Sequence, residues 1–210
     1  MADMITLTSG HDGFAFAALH GQPTGPRKGG VIVIQEIFGL DRYVQEDVAR
    51  WEARGYEVLA PSMYDRQQPG FTAEHSDEGV QAAVRLAMAN GPDNAMSDIQ
   101  ACIDFLKPRG PVFIVGYCYG GTMVWLAASR CTGLSAGSSY YGGQVAGLAD
   151  PVGEVTDGWV RPPDDTRRVS IHSSPIAMLV WCSIDQRSLS DRPGSRACCM
   201  RQSPVSHAEM

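Results

Sequence analysis

Cys118 stands in Gly116-Tyr117-Cys118-Tyr119-Gly120-Gly121, between an apolar run suited to a strand and a segment suited to a helix. A nucleophile on such a strand-to-helix turn sits in a strained backbone conformation, so the residues two before and two after it must be small. Gly116 and Gly120 meet that need, and Gly121 lets the helix pack close. The side chain then points off the carboxyl end of the sheet toward a helix N-terminus, where free N–H groups and the dipole favour a thiolate and an oxyanion. Attack on a carbonyl carbon is the chemistry this serves, with the backbone N–H of Tyr119 as one oxyanion donor. The plainer reading is a buried cysteine in a glycine-rich turn; glycine on both flanks, after Pro-Val-Phe-Ile-Val, favours the nucleophile.

Two further groups could serve a carbonyl reaction. Glu36 closes the run Gly30–Gln35 (GVIVIQ), and catalytic groups gather at the carboxyl ends of strands in open α/β sheets. An exposed loop acid is the alternative. Arg66 follows Tyr64 in Ala60-Pro61-Ser62-Met63-Tyr64-Asp65-Arg66. Its planar fork suits a carboxylate, while a stacked or hydrogen-bonded structural arginine is the competing reading.

The elements that must position these groups are legible as alternating periods. Met4–Leu7 and Phe14–Ala18 read as an edge hairpin, and Gly30–Gln35, Tyr56–Ala60 and Pro111–Gly116 as strands buried on both faces. Helical spacing appears over Asp41–Arg54, closed by Gly55, and over His75–Asn90, Asn94–Lys107 and Gly121–Arg130. Leu134–Tyr141 is a weaker strand. The alternation predicts an α/β fold with a mostly parallel central sheet and helices on both faces. Residues 1–149 form this core. Residues 150–210 read as a divergent C-terminal segment, partly disordered, with only Pro175–Cys182 strand-like.

The 210 residues, 44% hydrophobic and 19% charged, suit one globular domain. A formal charge of −6 argues against nucleic acid or an anionic membrane as partner. Met1–Gly10 shows no signal pattern and no run approaches a membrane span, so a cytoplasmic protein is expected. None of the six cysteines has C-x-x-C spacing. No metal cluster is evident, and GYCYGG lacks the lysine of a phosphate loop, so no cofactor is expected.

Gln35-Glu36-Ile37-Phe38-Gly39-Leu40, the APSMYDR segment, GYCYGG and Tyr140-Tyr141-Gly142-Gly143, in that order over residues 5 to 149, together resemble the dienelactone hydrolase family of α/β-hydrolases, in which cysteine replaces the usual serine. The resemblance implies a monomeric α/β-hydrolase fold and hydrolysis of a small carboxylated lactone or ester through a Cys118 acyl-thioester, as in a carboxymethylenebutenolidase. It implies that Glu36 takes the thiol proton, that Ile37 supplies the second oxyanion N–H, and that Arg66, beside Tyr64, binds a substrate carboxylate. It also calls for an Asp after a late strand and a His after the last. Asp185 and His207 are the candidates, although the glycine usual before the acid is missing and His207 lies three residues from the end.

Two other readings compete. Glutamine amidase domains also use G-x-C-x-G with a later His-x-Glu, which His207-Ala208-Glu209 satisfies. Alternatively, without a placed histidine the chain is a catalytically impaired hydrolase-fold remnant.

Overall fold

Each apolar strand run is followed by a segment that returns the chain to the same starting edge, so the runs line up in parallel. The computed structural model describes residues 2–143 and, beyond them, the backbone of four strands between residues 155 and 183. At its centre β4 (Tyr56–Pro61), β3 (Gly29–Ile34), β5 (Val112–Tyr117) and β6 (Ala136–Tyr140) pair in that order, all parallel. The hairpin of β1 (Asp3–Thr8) and β2 (Ala15–Gly21) adds to β4 antiparallel and makes the outer edge.

Continuous β-branched strands need cover on both faces, and the helices supply it. α1 (Arg42–Ala53) lays Val44 and Val48 over Val31, Val33, Val58 and Val115 on one face. α3 (Pro92–Leu106) and α4 (Tyr119–Arg130) cover Ile32, Ile34, Leu59 and Ile114 on the other, joined by Ala83 of α2 (Asp77–Ala89). Helix starts follow capping chemistry: Asp41 accepts the N–H groups of Tyr43 and Val44, and Ser76 that of Gly79. No helix of the described residues is long and apolar enough to cross a membrane.

The far side of β6 differs from the sequence reading. β10 (Met178–Ser183) occupies the expected strand, but β7 (Val155–Thr156), β8 (Trp159–Val160) and β9 (Arg167–His172) join it, and all four run antiparallel to their neighbours. β9 escapes notice because two arginines begin it and blur the alternation. Met178 pairs with Tyr140 and Cys182 with Ala136, so β10 leads away from the edge that carries Cys118. The rest of the 150–210 segment lies outside the described residues.

Candidate active site

Strand register brings the site together. Ile34 of β3 pairs with Gly116 of β5, so Glu36 and Cys118 each lie two residues past a paired position on neighbouring parallel strands. Tyr117 pairs with Tyr140, which puts Tyr141 one residue past β6, level with Cys118. Parallel strands end at one edge, and three polar side chains meet there.

The turn at Cys118 has the predicted strain. Its φ of 52° and ψ of −117° lie where non-glycine residues are rare. A Cβ on Gly116 would stand 2.4 Å from the Gly120 carbonyl oxygen, and one on Gly120 would stand 2.5 Å from that of Ile34. Any side chain at either position would push α4 off the sheet. The Cys118 N–H donates to the Tyr140 carbonyl at 3.0 Å, which ties the turn to β6.

Electrostatics at the sulfur differ from the expectation of a favoured thiolate. Half-burial pushes the Cys118 thiol up, and the negative charge of Glu36 pushes the same way. The Tyr119 N–H, which donates to the sulfur, pulls it down without prevailing. The single N–H bond from Tyr119 therefore lowers the thiol less than lost water and the Glu36 charge raise it. The sulfur is thus biased toward the thiol, with the Glu36 charge near it and the Tyr119 N–H donating to it. Ile37 follows Glu36 in the same turn, its side chain half-buried against the larger core cluster.

Tyr141 was named within a motif but given no role by sequence. Its hydroxyl donates to Glu36 Oε1 at 3.2 Å. The loop beyond is braced by His75, whose ring stacks on Phe38 at 3.8 Å while Nε2 lies 2.9 Å from Asp41 Oδ2.

Tyr64 and Arg66 sit differently from substrate-binding groups. Gln35 Oε1 accepts the Met63 N–H at 3.1 Å and Asn90 Nδ2 donates to the Met63 carbonyl at 2.6 Å, a clamp that turns Tyr64 inward. The Tyr64 ring is 1% exposed, packed between Phe71 and Tyr119, so it backs the turn. Arg66 is 9% exposed, donates to Asp98 at 2.8 Å and to both oxygens of Asp12, and lies over the Phe14 ring. Both terminal nitrogens of its fork are engaged by carboxylates of this chain, as expected of a structural arginine, while Nε is buried without a hydrogen-bond partner among the described residues. Asp185 and His207 lie outside the described residues. Among the described residues no hydrogen bond or ion pair joins a histidine to Cys118.

Residues 16–180 match the model of the dienelactone hydrolase family. A candidate carboxymethylenebutenolidase of Synechocystis sp. is 36% identical over 137 residues, 60% of this chain and 55% of that protein. The carboxymethylenebutenolidase of Pseudomonas putida is 31% identical over 135 residues, 62% of this chain and 57% of that one. A crystal structure of a candidate dienelactone hydrolase from Klebsiella pneumoniae shares the fold with a TM-score of 0.56 at 24% identity, over 68% of this chain and 60% of that one. The matched part of this chain spans little more than half the length of these curated relatives.

Proposed function

The chain belongs to the dienelactone hydrolase family, and from that premise we propose that it is a carboxylic ester hydrolase acting on a small lactone or ester through an acyl-thioester on Cys118. The observation that carries the proposal is the strained turn at Cys118 with the Glu36 carboxylate on the next strand and the Tyr119 N–H at the sulfur.

In the proposed reaction the Cys118 proton passes to Glu36 as Sγ attacks the carbonyl carbon. The oxyanion takes hydrogen bonds from the N–H groups of Tyr119 and Ile37. Collapse breaks the bond to the leaving oxygen, which takes the proton back, and leaves the thioester. Water then cleaves the thioester, releasing the acid and restoring the thiol. The relatives' name denotes a lactone bearing a carboxylate, which is the substrate class proposed here. Arg66, offered by the resemblance for that carboxylate, is engaged by Asp12 and Asp98, so the reading rests on the Cys118 edge alone. Asp185, which follows the late apolar strand run, and His207, the one histidine after it, are the candidates that the family order leaves for the remaining triad places; the acyl transfer proposed here does not depend on them.

p-Nitrophenyl acetate tests the first half of the cycle. A burst of about one equivalent per chain, abolished by Cys118→Ala, is the expected result, followed by a slow phase because among the described residues no histidine stands at Cys118 to activate the deacylating water, assistance worth roughly 10²–10⁴-fold. His207→Ala is expected to leave that slow phase unchanged; multiple turnover that collapses in this variant would restore a full triad. No burst from the wild type, with ammonia released from glutamine, would transfer the chain to the amidase class.

A further inference from the structure

Only two non-glycine residues among those described have positive φ, and both are at the site: Cys118 at 52° and Tyr141 at 38°. Such conformations are unfavourable for any residue with a side chain and persist where surrounding structure imposes them. Strain at a nucleophile turn has a stated purpose, but the strain at Tyr141 has none yet.

Its cause is visible in the packing. A Cβ on Gly121, at the start of α4, would stand 2.3 Å from the Tyr140 carbonyl oxygen and 3.1 Å from the Gly142 nitrogen, so the helix presses on the chain either side of Tyr141. Ser139 Oγ donates to the Gly121 carbonyl at 2.7 Å and the Cys118 N–H holds the Tyr140 carbonyl at 3.0 Å. With both flanks fixed to the nucleophile turn, the chain reverses at Tyr141 and carries its phenol to Glu36 Oε1, 3.2 Å away. The phenol is kept from ionising there: although its ring is half exposed, partial loss of water and the Glu36 charge push it up to about 12. It remains a donor across the range in which an esterase works.

We propose that Tyr141 is a positioning residue for the hydrolysis: its hydroxyl holds the Glu36 carboxylate beside Cys118, in a place fixed by the same turn that fixes the sulfur. The base and the nucleophile are then aligned by one rigid unit. This inference rests on the proposed use of Glu36 as the proton acceptor, and it accounts for a tyrosine where a glycine would relieve the backbone. The competing explanation is a packing role for the ring, which stands 6.1 Å from that of Tyr117.

Tyr141→Phe keeps the ring and removes only the donor. With p-nitrophenyl acetate, the burst rate constant is expected to fall about tenfold, as for loss of a modest hydrogen bond to a charged group, while KM stays within about twofold. The decisive measurement repeats the substitution in Glu36→Gln protein, where the second loss is expected to shrink below about twofold because nothing remains to be positioned. The pH dependence of Cys118 alkylation by iodoacetamide, read by peptide mapping, supplies a readout that needs no turnover. Released from its tether, the carboxylate moves its charge off the sulfur, so Tyr141→Phe should bring the alkylation midpoint down toward that of an ordinary thiol, and should do so only while Glu36 is present. An equal loss with or without Glu36, or an alkylation midpoint that does not move, overturns the inference in favour of packing. Failure of the hydrolase reading shows differently, as a wild type without a burst, and in that case the alkylation cycle still decides the role of Tyr141.

Discussion

Two glutamates mark opposite ends of the same sheet, and they are held in opposite ways. Glu57, near the start of β4, is saturated: Arg109 reaches both its oxygens at 2.7 and 3.0 Å, Arg27 donates at 2.7 Å, and His20 lies at 2.9 Å. Burial works to raise that carboxyl, but these partners hold it below the usual glutamate range. Glu36, past the end of β3, takes one phenol hydroxyl and faces a protonated thiol. A carboxylate ringed by cations is committed to the fold, because a proton gained there would break several charge-assisted bonds at once. Among the described residues Glu36 has no cation bonded to it, only the Tyr141 hydroxyl. Under the proposed function, the amino end of the sheet serves stability and the carboxyl end serves the reaction.

Exchanging the two glutamates for glutamine is the sharpest way to break that comparison. Glu36→Gln should cut the burst rate by roughly 10²–10⁴-fold, since an amide cannot accept the thiol proton, with the urea midpoint unmoved. Glu57→Gln should leave the burst intact and cost about 2 kcal/mol of stability. Its signature is in pH. A carboxyl held low contributes stability above its unfolded pKa, and that contribution disappears as pH falls through the lower, folded value. The wild type should therefore lose more urea resistance than Glu57→Gln between about pH 5 and pH 3. A Glu36→Gln variant that unfolds early, or a Glu57→Gln variant without a burst, would dissolve the division of labour.

The Cys118 end of the sheet is the more legible of the two in sequence. Gly116, Gly120 and Gly121 are small for steric reasons that sequence displays directly, and Glu36 follows a run that could hardly be anything but a buried strand. Glu57 gave no sign of its role, because its partners come from residues 20, 27 and 109, brought together only by the fold. Tyr141 was hidden for the same reason, since its bond to Glu36 joins residues 105 positions apart. At Cys118 the helix N-terminus is legible in sequence, whereas the burial and the Glu36 charge that push the thiol up come from the fold. At β10 the apolar run foretold a strand correctly, but strand direction depends on the connection before it, and that lies in the stretch without a clear period.

Arg66 tests the boundary between the two regions. The sequence allowed it to be a clamp on substrate or a brace within the fold, and its bonds to Asp12 and Asp98 assign it to the brace. Removing one member of a pair whose other member, Asp98, is buried costs about 3 kcal/mol or more. Arg66→Ala should lower the urea midpoint accordingly, while KM for a carboxylated ester and for its neutral analogue change by the same small factor. A selective rise in KM for the carboxylated ester, at unchanged stability, would return Arg66 to the substrate.

The smallest effect concerns how ready the nucleophile is at rest. Cys102 and Cys131 are buried in the core, and burial pushes the Cys102 thiol far up, so neither should compete with the half-exposed Cys118 for iodoacetamide. Access and ionisation pull apart at Cys118 itself. Its thiol is raised by lost water and by Glu36, and alkylation proceeds through the thiolate. At pH 7.5 folded Cys118 should therefore react more slowly than the same cysteine in urea-unfolded chain, with a rate that keeps rising beyond the midpoint of the unfolded thiol. Adding Glu36→Gln removes one of the two causes and should recover part of that deficit, burial holding the remainder. A folded rate that levels off below neutral pH would mean that the helix N-terminus prevails and the sulfur rests as a thiolate, and Glu36 would then have no proton to take.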